Sequence, residues 1–312
     1  MITTEDLTKR YKSHLAVDSL NLNVRPGEIY GFLGPNGAGK TTTIHMLLNL
    51  TQPTSGRILL FSEPLVPGSF HFKRSIGVVA EEPFESSQMT GWELVRYFAG
   101  LYGIDAPERR MDELFRALDL WDVRHGLARD YSRGMRQKLS IIRALVHEPK
   151  LLILDEPVSG LDPHGILQVR ELINEYHERG GTVFISSHIL SEIERSADRV
   201  GILDQGRLLV EDTLAGLRRR LMPSQKCVVE LESIPAGLPD RLKGEPYVLE
   251  FDQEGRQLNV TLGAQQDARS RLSRLIAEQG GVVLKMQSEE MSLEKAFVTI
   301  TNHNVAQLAG IA

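Results

Sequence analysis

The run Gly34-Pro35-Asn36-Gly37-Ala38-Gly39-Lys40-Thr41, directly after the apolar stretch Ile29-Tyr30-Gly31-Phe32-Leu33, constrains this chain more than any other feature. It fits the spacing G-x-x-x-x-G-K-[ST], in which glycines let the backbone curl until several N–H groups point inward. The stretch before it predicts a short strand, and residues 41–50, closed by Pro53, predict a helix. A helix starting there adds the positive end of its dipole to the ring of amides. Such a loop suits phosphate oxygens, with Lys40 reaching the β- and γ-phosphates of a nucleotide and the Thr41 hydroxyl placed to hold Mg²⁺. A chance glycine-rich turn explains neither the strand before it nor the helix after it.

A second run, Leu151-Leu152-Ile153-Leu154-Asp155-Glu156-Pro157, is an apolar strand that ends in two acids. A buried parallel strand delivers its last residues to the C-terminal edge of the sheet, where ligands bind. Asp155 can support Mg²⁺ through its water shell, and Glu156 can orient or deprotonate an attacking water. Alone, such an acid pair reads as a solvated turn; in a chain that also carries the phosphate loop it reads as the other half of a nucleotide site.

Short strands are predicted over residues 2–7, 16–24, 76–79, 151–154 and 183–186, and helices over 92–102, 107–118, 134–147, 166–179 and 189–197. Strands alternating with helices imply an α/β fold with a mostly parallel sheet covered on both faces. The pattern restarts near Arg218-Arg219-Arg220. Strand-like segments at 227–231, 247–251, 258–262 and 282–286, with helices at 264–278 and 293–299, predict a small α+β domain. The expected division is 1–220 and 221–312. A length of 312 residues fits two domains. No apolar run approaches the roughly 18 residues a membrane span needs, and no secretory signal is visible at the start. The lone Cys227 excludes an internal disulfide framework and reads as a buried small hydrophobe. A net charge of −5 argues against binding nucleic acid by bulk charge, but not against binding a nucleotide at a loop.

Over residues 1–215 the sequence resembles the ATP-binding subunits of ABC transporters. Five further groups carry the likeness, in order. Tyr11 stands where the family places an aromatic on adenine. Tyr131-Ser132-Arg133-Gly134-Met135-Arg136-Gln137 is similar to its signature loop, and Asp155-Glu156 to its second nucleotide motif. Ser159-Gly160-Leu161-Asp162 matches its dimer-contact loop, and Ser187-His188 its switch histidine. The resemblance implies a P-loop NTPase (RecA-like) core with an antiparallel β part and an inserted helical subdomain over about 84–148. It implies ATP and Mg²⁺ as ligands, with Gly34, Pro35, Asn36, Gly37, Ala38, Gly39, Lys40, Thr41 and Thr42 around the phosphates. Thr41, Glu81 and Asp155 would be at the metal, and Glu156 and His188 at the reacting water. Two copies, or this chain and a related ATPase subunit, would meet head to tail. Ser132, Arg133, Gly134, Met135 and Asp162 of one would then complete the site of the other.

Two positions depart from the family. Glu81, followed by Glu82, replaces the usual glutamine after residues 76–79; a carboxylate still ligates Mg²⁺ but adds negative charge beside the phosphates. Arg133 stands where the first of two glycines is usual, and Met135 where glutamine is common, whereas Ser132 and Gly134 are kept. The look of the signature run and the C-terminal extension resemble the exporter branch, which drives drug, antibiotic, lipid, polysaccharide or sodium efflux. That implies polytopic membrane permease subunits as partners, no nucleic acid, and a peripheral place on the cytoplasmic face of the membrane. Phe84, Trp92 and Phe98 either pack the helical subdomain or line a groove for the membrane subunit. The competing reading is a soluble ABC-type ATPase acting as a nucleotide-gated regulator without transport.

Overall fold

Strand β1 (Ile2–Tyr11) pairs antiparallel with β2 (His14–Leu20) and β3 (Asn23–Val24). The coordinates come from a computed structural model that describes residues 1–82, 88–189, 193–221, 224–263 and 268–289. The alternation predicted across 16–24 is interrupted here. Ser19 takes a left-handed backbone (φ 49°), and the Asn21 amide bonds the Asp6 carboxylate at 3.1 Å, so the strand breaks after Leu20. The chain then enters β4 (Ile29–Leu33), buried at all five positions, and helix α1 (Lys40–Leu47). The helix is shorter than the sequence predicts. Leu48 caps it and Asn49 turns left-handed at φ 57°, a standard way to end a helix. Strand β5 (Ser55–Leu60) returns to β1, and β6 (Glu63–Pro64) closes that antiparallel sheet.

After β7 (Ile76–Val79) the described residues form three α-helices: α2 (Gly91–Leu101), α3 (Glu108–Ala117) and α4 (Arg133–Leu145). Helix α2 opens with a capping box. Glu93 N–H donates to Thr90 Oγ1 at 3.2 Å, and Thr90 N–H donates to the Glu93 carboxylate at 2.9 Å. Trp92 packs against Phe115 and Trp121, at centroid distances of 5.5 and 6.3 Å, and Phe98 lies beneath the Arg143 guanidinium. These two aromatics thus pack the helical subdomain; Phe84 lies outside the described residues.

Strand β8 (Leu151–Asp155), helix α5 (Pro163–Glu178), β9 (Thr182–Ser187), β10 (Arg199–Asp204) and β11 (Arg207–Thr213) complete the central sheet. Its order is β11-β10-β4-β9-β8-β7, parallel throughout except for the β10–β11 hairpin. The register is what positions the site. Leu33 pairs with Ser187, and Asp155 with Ser186, so β4, β9 and β8 all finish at one edge. Tyr30, Phe32, Ile153 and Phe184 of this sheet share one buried cluster with Leu7, Val17 and Ile58 of the antiparallel sheet and Ile44 and Leu47 of α1. Of the helix expected over 189–197, residues 190–192 lie outside the described residues.

The chain divides into two compact units, Met1–Leu214 and Ala215–Ala312, and helix α6 (Leu214–Leu221) spans the change. The second unit runs β12 (Ser224–Leu231), α7 (Leu238–Lys243), β13 (Val248–Glu254), β14 (Gln257–Gly263), α8 (Arg269–Glu278) and β15 (Val283–Glu289). Its antiparallel sheet has the order β13-β14-β12-β15, the split βαβ arrangement. Alternation decides the faces. Leu258, Val260 and Leu262 point to a core with Cys227, Val229, Leu272 and Ile276, while Gln257, Asn259 and Thr261 point away. Helix α7 had no counterpart in the sequence reading. The start of the helix expected at 264, and the one expected over 293–299, lie outside the described residues.

Candidate functional site

Strand β4 ends at Leu33, and residues 34–39 curl over the sheet edge before α1 begins. Gly34 N–H donates to Ser187 O at 3.4 Å and Ala38 N–H to Pro35 O at 3.1 Å, which closes the loop on itself. Gly39 caps α1 at φ 107°, where a Cβ would meet the Ala16 carbonyl oxygen at 2.4 Å, so only glycine lets the loop sit this close to β2. From behind, the β10–β11 turn donates Gly206 N–H to Ala38 O at 2.9 Å. Burial pushes the carboxyl of Asp204, the last residue of β10, above its ordinary range. Pro35 and Gly37 shape the turn, Asn36 is exposed, and Thr41 and Thr42 sit half-buried in the first turn of α1.

Lys40, in that first turn, is buried. Its ammonium donates to Gly34 O at 2.7 Å and lies 3.6 Å from Glu156 Oε1. On the other side of the same carboxylate, His188 Nδ1 is 2.9 Å from Glu156 Oε2. Asp155 is buried beside them and accepts a hydrogen bond from the Ser186 hydroxyl. The structure therefore brings Lys40, the consecutive pair Asp155-Glu156, and His188, from three separate stretches of chain, to one sheet edge. Ser186 escaped the sequence reading although it organises the edge. It bonds Asp155, and Glu156 N–H donates to both its carbonyl, at 3.2 Å, and its hydroxyl, at 3.3 Å. The only sequence signal was a hydroxyl residue at the end of an apolar strand. Glu81 is exposed just past β7 and makes no hydrogen bond or ion pair with the described residues. Tyr11 is 44% exposed at the β1–β2 hairpin, with the Lys9 ammonium 4.9 Å from its ring centre.

The remaining candidates lie on two other loops. Ser132 caps α4, accepting from Met135 N–H at 3.2 Å. Asp162 caps α5, accepting from Gly165 N–H at 2.8 Å. Arg133 reaches across to Ser159 Oγ at 3.2 Å, and Gly134 lies close to the Gly160 carbonyl. Among the described residues no hydrogen bond or ion pair joins residues 132–135 to residues 34–42. The donor set offers hard oxygen ligands, the Thr41 hydroxyl and the Asp155 carboxylate, which suit Mg²⁺. Among the described residues no trio of His, Cys, Asp or Glu is grouped to hold a metal.

The sequence profile of the family described as ABC transporter matches residues 17–159. The chain is 42% identical over 310 residues to the bacitracin transport ATP-binding protein BcrA of Bacillus licheniformis, covering 96% of this chain and 97% of that one. It is 31% identical over 302 residues to the daunorubicin resistance ATP-binding protein DrrA3 of Streptomyces coeruleorubidus, covering 96% and 95%. Its fold matches a solved ATP-binding subunit of an ABC transporter with a TM-score of 0.67 at 33% identity, over 70% of this chain and 92% of that chain.

Proposed function

This chain belongs to the family of ABC transporter ATP-binding subunits, so it is a nucleotide-binding ATPase, and on that premise we propose that it drives efflux of an antibiotic or drug through separate membrane subunits. The observation that carries the chemistry is the Glu156 carboxylate held between Lys40 and His188 at the sheet edge. Arriving phosphates exchange Lys40's present partners, the Gly34 carbonyl and Glu156, for phosphate oxygens. Glu156 is then free to accept a proton from water, with His188 orienting both. The amides of residues 34–41 and the N-terminus of α1 face the phosphate charge. Thr41 and Asp155 are the proposed Mg²⁺ holders, with Glu81 as a further carboxylate. Mg²⁺ neutralises charge on the β- and γ-phosphate oxygens when bound.

The absence of any bond between residues 132–135 and the phosphate loop, among those described, supports a site completed in trans. In a head-to-tail dimer, Ser132 and the Gly134 amide at the positive end of α4 face the partner's γ-phosphate, and Asp162 couples the two sites. Tyr11, exposed and beside Lys9, is the proposed platform for adenine.

No helix among the described residues is long and apolar enough to cross a membrane. An apolar cleft of about 190 Å³ opens between β5, β7 and the end of α2, lined by Leu48, Leu60, Phe72, Ile76 and Tyr102. Leu50, 60% exposed, is part of the same lining. It is the proposed seat for a short helix of the membrane subunit, which would hold the protein at the cytoplasmic face. Similarity to transport and drug-resistance proteins over nearly the whole chain favours this reading over a regulator without transport. Residues 1–220 are the proposed motor, and 221–312 an accessory domain.

The decisive variant is Glu156→Gln. It is expected to bind ATP, to lose most turnover and to accumulate as an ATP-bound dimer on sizing chromatography, because the amide is nearly isosteric but a far weaker base. Hydrolysis at the native rate would assign the base elsewhere.

A further inference from the structure

Ser132 and Asp162 lie on different loops, yet the structure ties those loops together inside one chain. Arg133 is the first residue of α4, just after the Ser132 cap. Its guanidinium Nη2 donates to Ser159 Oγ at 3.2 Å. Its stem covers Gly160, where an added Cβ would meet Arg133 Nε at 2.9 Å, Cδ at 3.0 Å and Cγ at 3.3 Å. Gly160 also stands at φ +76°, so glycine is required there for both backbone and space. The contact continues below. A Cβ on Gly134 would lie 3.3 Å from Gly160 O and 3.5 Å from Leu161 Cδ2, and the buried Gln137 amide donates to Pro157 O at 3.0 Å. The near end of this loop, in turn, is bonded to the acid that faces Lys40: Ser159 N–H donates to Glu156 O at 3.1 Å.

We propose that Arg133 is a positioning residue that locks the Ser132–Gly134 start of α4 onto the Ser159–Asp162 loop of the same chain, so that both enter the partner's site as one preformed surface. This rests on the head-to-tail reading above. An arginine whose stem covers a glycine while its guanidinium reaches a hydroxyl suits such a latch, because the planar fork is pre-organised and less freedom is lost per hydrogen bond formed. The latch acts before chemistry, on the formation of the ATP-bound dimer.

The test uses the full chain in the Glu156→Gln background, reading the ATP concentration for half-maximal dimerisation. Arg133→Gly should raise it roughly tenfold, the worth of one charge-assisted hydrogen bond and its packing. ATP affinity of the dilute monomer should stay unchanged, which also shows that the variant is folded. Arg133→Lys should recover much of the loss. Ser159→Ala should reproduce the loss, and the double variant should be no worse than either single one. With Glu156 intact, Arg133→Gly should raise KM for ATP while kcat recovers at saturation. Additive losses, or a kcat deficit that persists at saturating ATP, would overturn the latch and make Arg133 a direct phosphate contact. Ser132→Ala separates the two levels. If it weakens the dimer while Arg133→Gly does not, the latch alone falls; if it leaves the dimer intact, the head-to-tail reading falls and the latch with it.

Discussion

His147 predicts a specific acid sensitivity. It follows α4, is buried, and stacks flat on Tyr102 with ring centres 3.6 Å apart and planes 4° apart. Its Nε2–H donates to Ile76 O at 3.2 Å, which joins the helical subdomain to β7, while Nδ1 is buried with no hydrogen-bond partner. A second proton would have to go on that nitrogen, which has no partner to receive it. Burial lowers its pKa from the usual 6.5 to about 4, against a small opposing effect of the Ile76 bond. The folded pKa lies below the unfolded one, so the folded state binds fewer protons between them. The stabilisation is present above pH 6.5, is lost as pH falls towards 4, and changes no further below that. The full interval is worth about 3 kcal/mol, of which about 2 kcal/mol is lost by pH 5. Urea unfolding of the native chain and of His147→Phe, which keeps a stacking ring but cannot titrate, isolates the effect. The variant should start less stable at pH 7.5 yet lose about 2 kcal/mol less than the native chain on moving to pH 5. Equal losses in both proteins would refute the argument.

Two other outcomes are expected. Lys40→Ala should weaken Mg-ATP binding by roughly 10- to 100-fold, since it removes the one cation facing the phosphate loop among the described contacts; a fluorescent-ATP titration with unchanged affinity would contradict this. A chain ending after Arg220 should remain soluble and bind ATP, because the removed part has its own core around Cys227, Val229, Leu258, Val260, Leu272 and Ile276. Its dimerisation or basal ATPase should change, and a fragment that aggregates unless residues 221–312 are restored would refute the modular division.

The phosphate loop and the strand before it were legible because local sequence dictates them: glycines at fixed spacing after five apolar residues leave few alternatives. Strand β8 was legible for the same reason, since a strand buried on both faces reads as an uninterrupted apolar run. Strands β5, β10 and β11 were not. β5 opens with the exposed Ser55-Gly56-Arg57, β10 opens with Arg199 and contains Gly201, and β11 is only half-buried along most of its length. Their pairing is decided by partners far away in sequence, Leu60 with Ile2 and Val200 with Gly31, which no local window contains. Helix α7 is six residues long and begins with Leu238-Pro239, too short for a period to emerge. In the site, residue types gave the acids and the histidine, but the Ser186 bonds between β8 and β9 and the Arg133–Ser159 contact join segments far apart in sequence and have no signature in spacing.

Glu156 shows why the site needs the whole fold. Its backbone is left-handed, φ 49°, a conformation that costs a non-glycine residue roughly 1–2 kcal/mol. Pro157 follows it, fixing its own φ and restricting Glu156 further. Local preference thus opposes the turn, and something distant has to hold it. The two bonds from Glu156 N–H to Ser186 do so, and they exist only because β8 and β9 are in register at Asp155 and Ser186. The turn then swings the carboxylate back over the sheet edge, where Lys40 and His188 flank it. A relaxed extended residue here would carry the acid away from the loop. Sheet register, strain at one residue and the reach of one lysine are therefore a single device, and substituting Ser186 should disturb Glu156 and Asp155 together, since its hydroxyl bonds both.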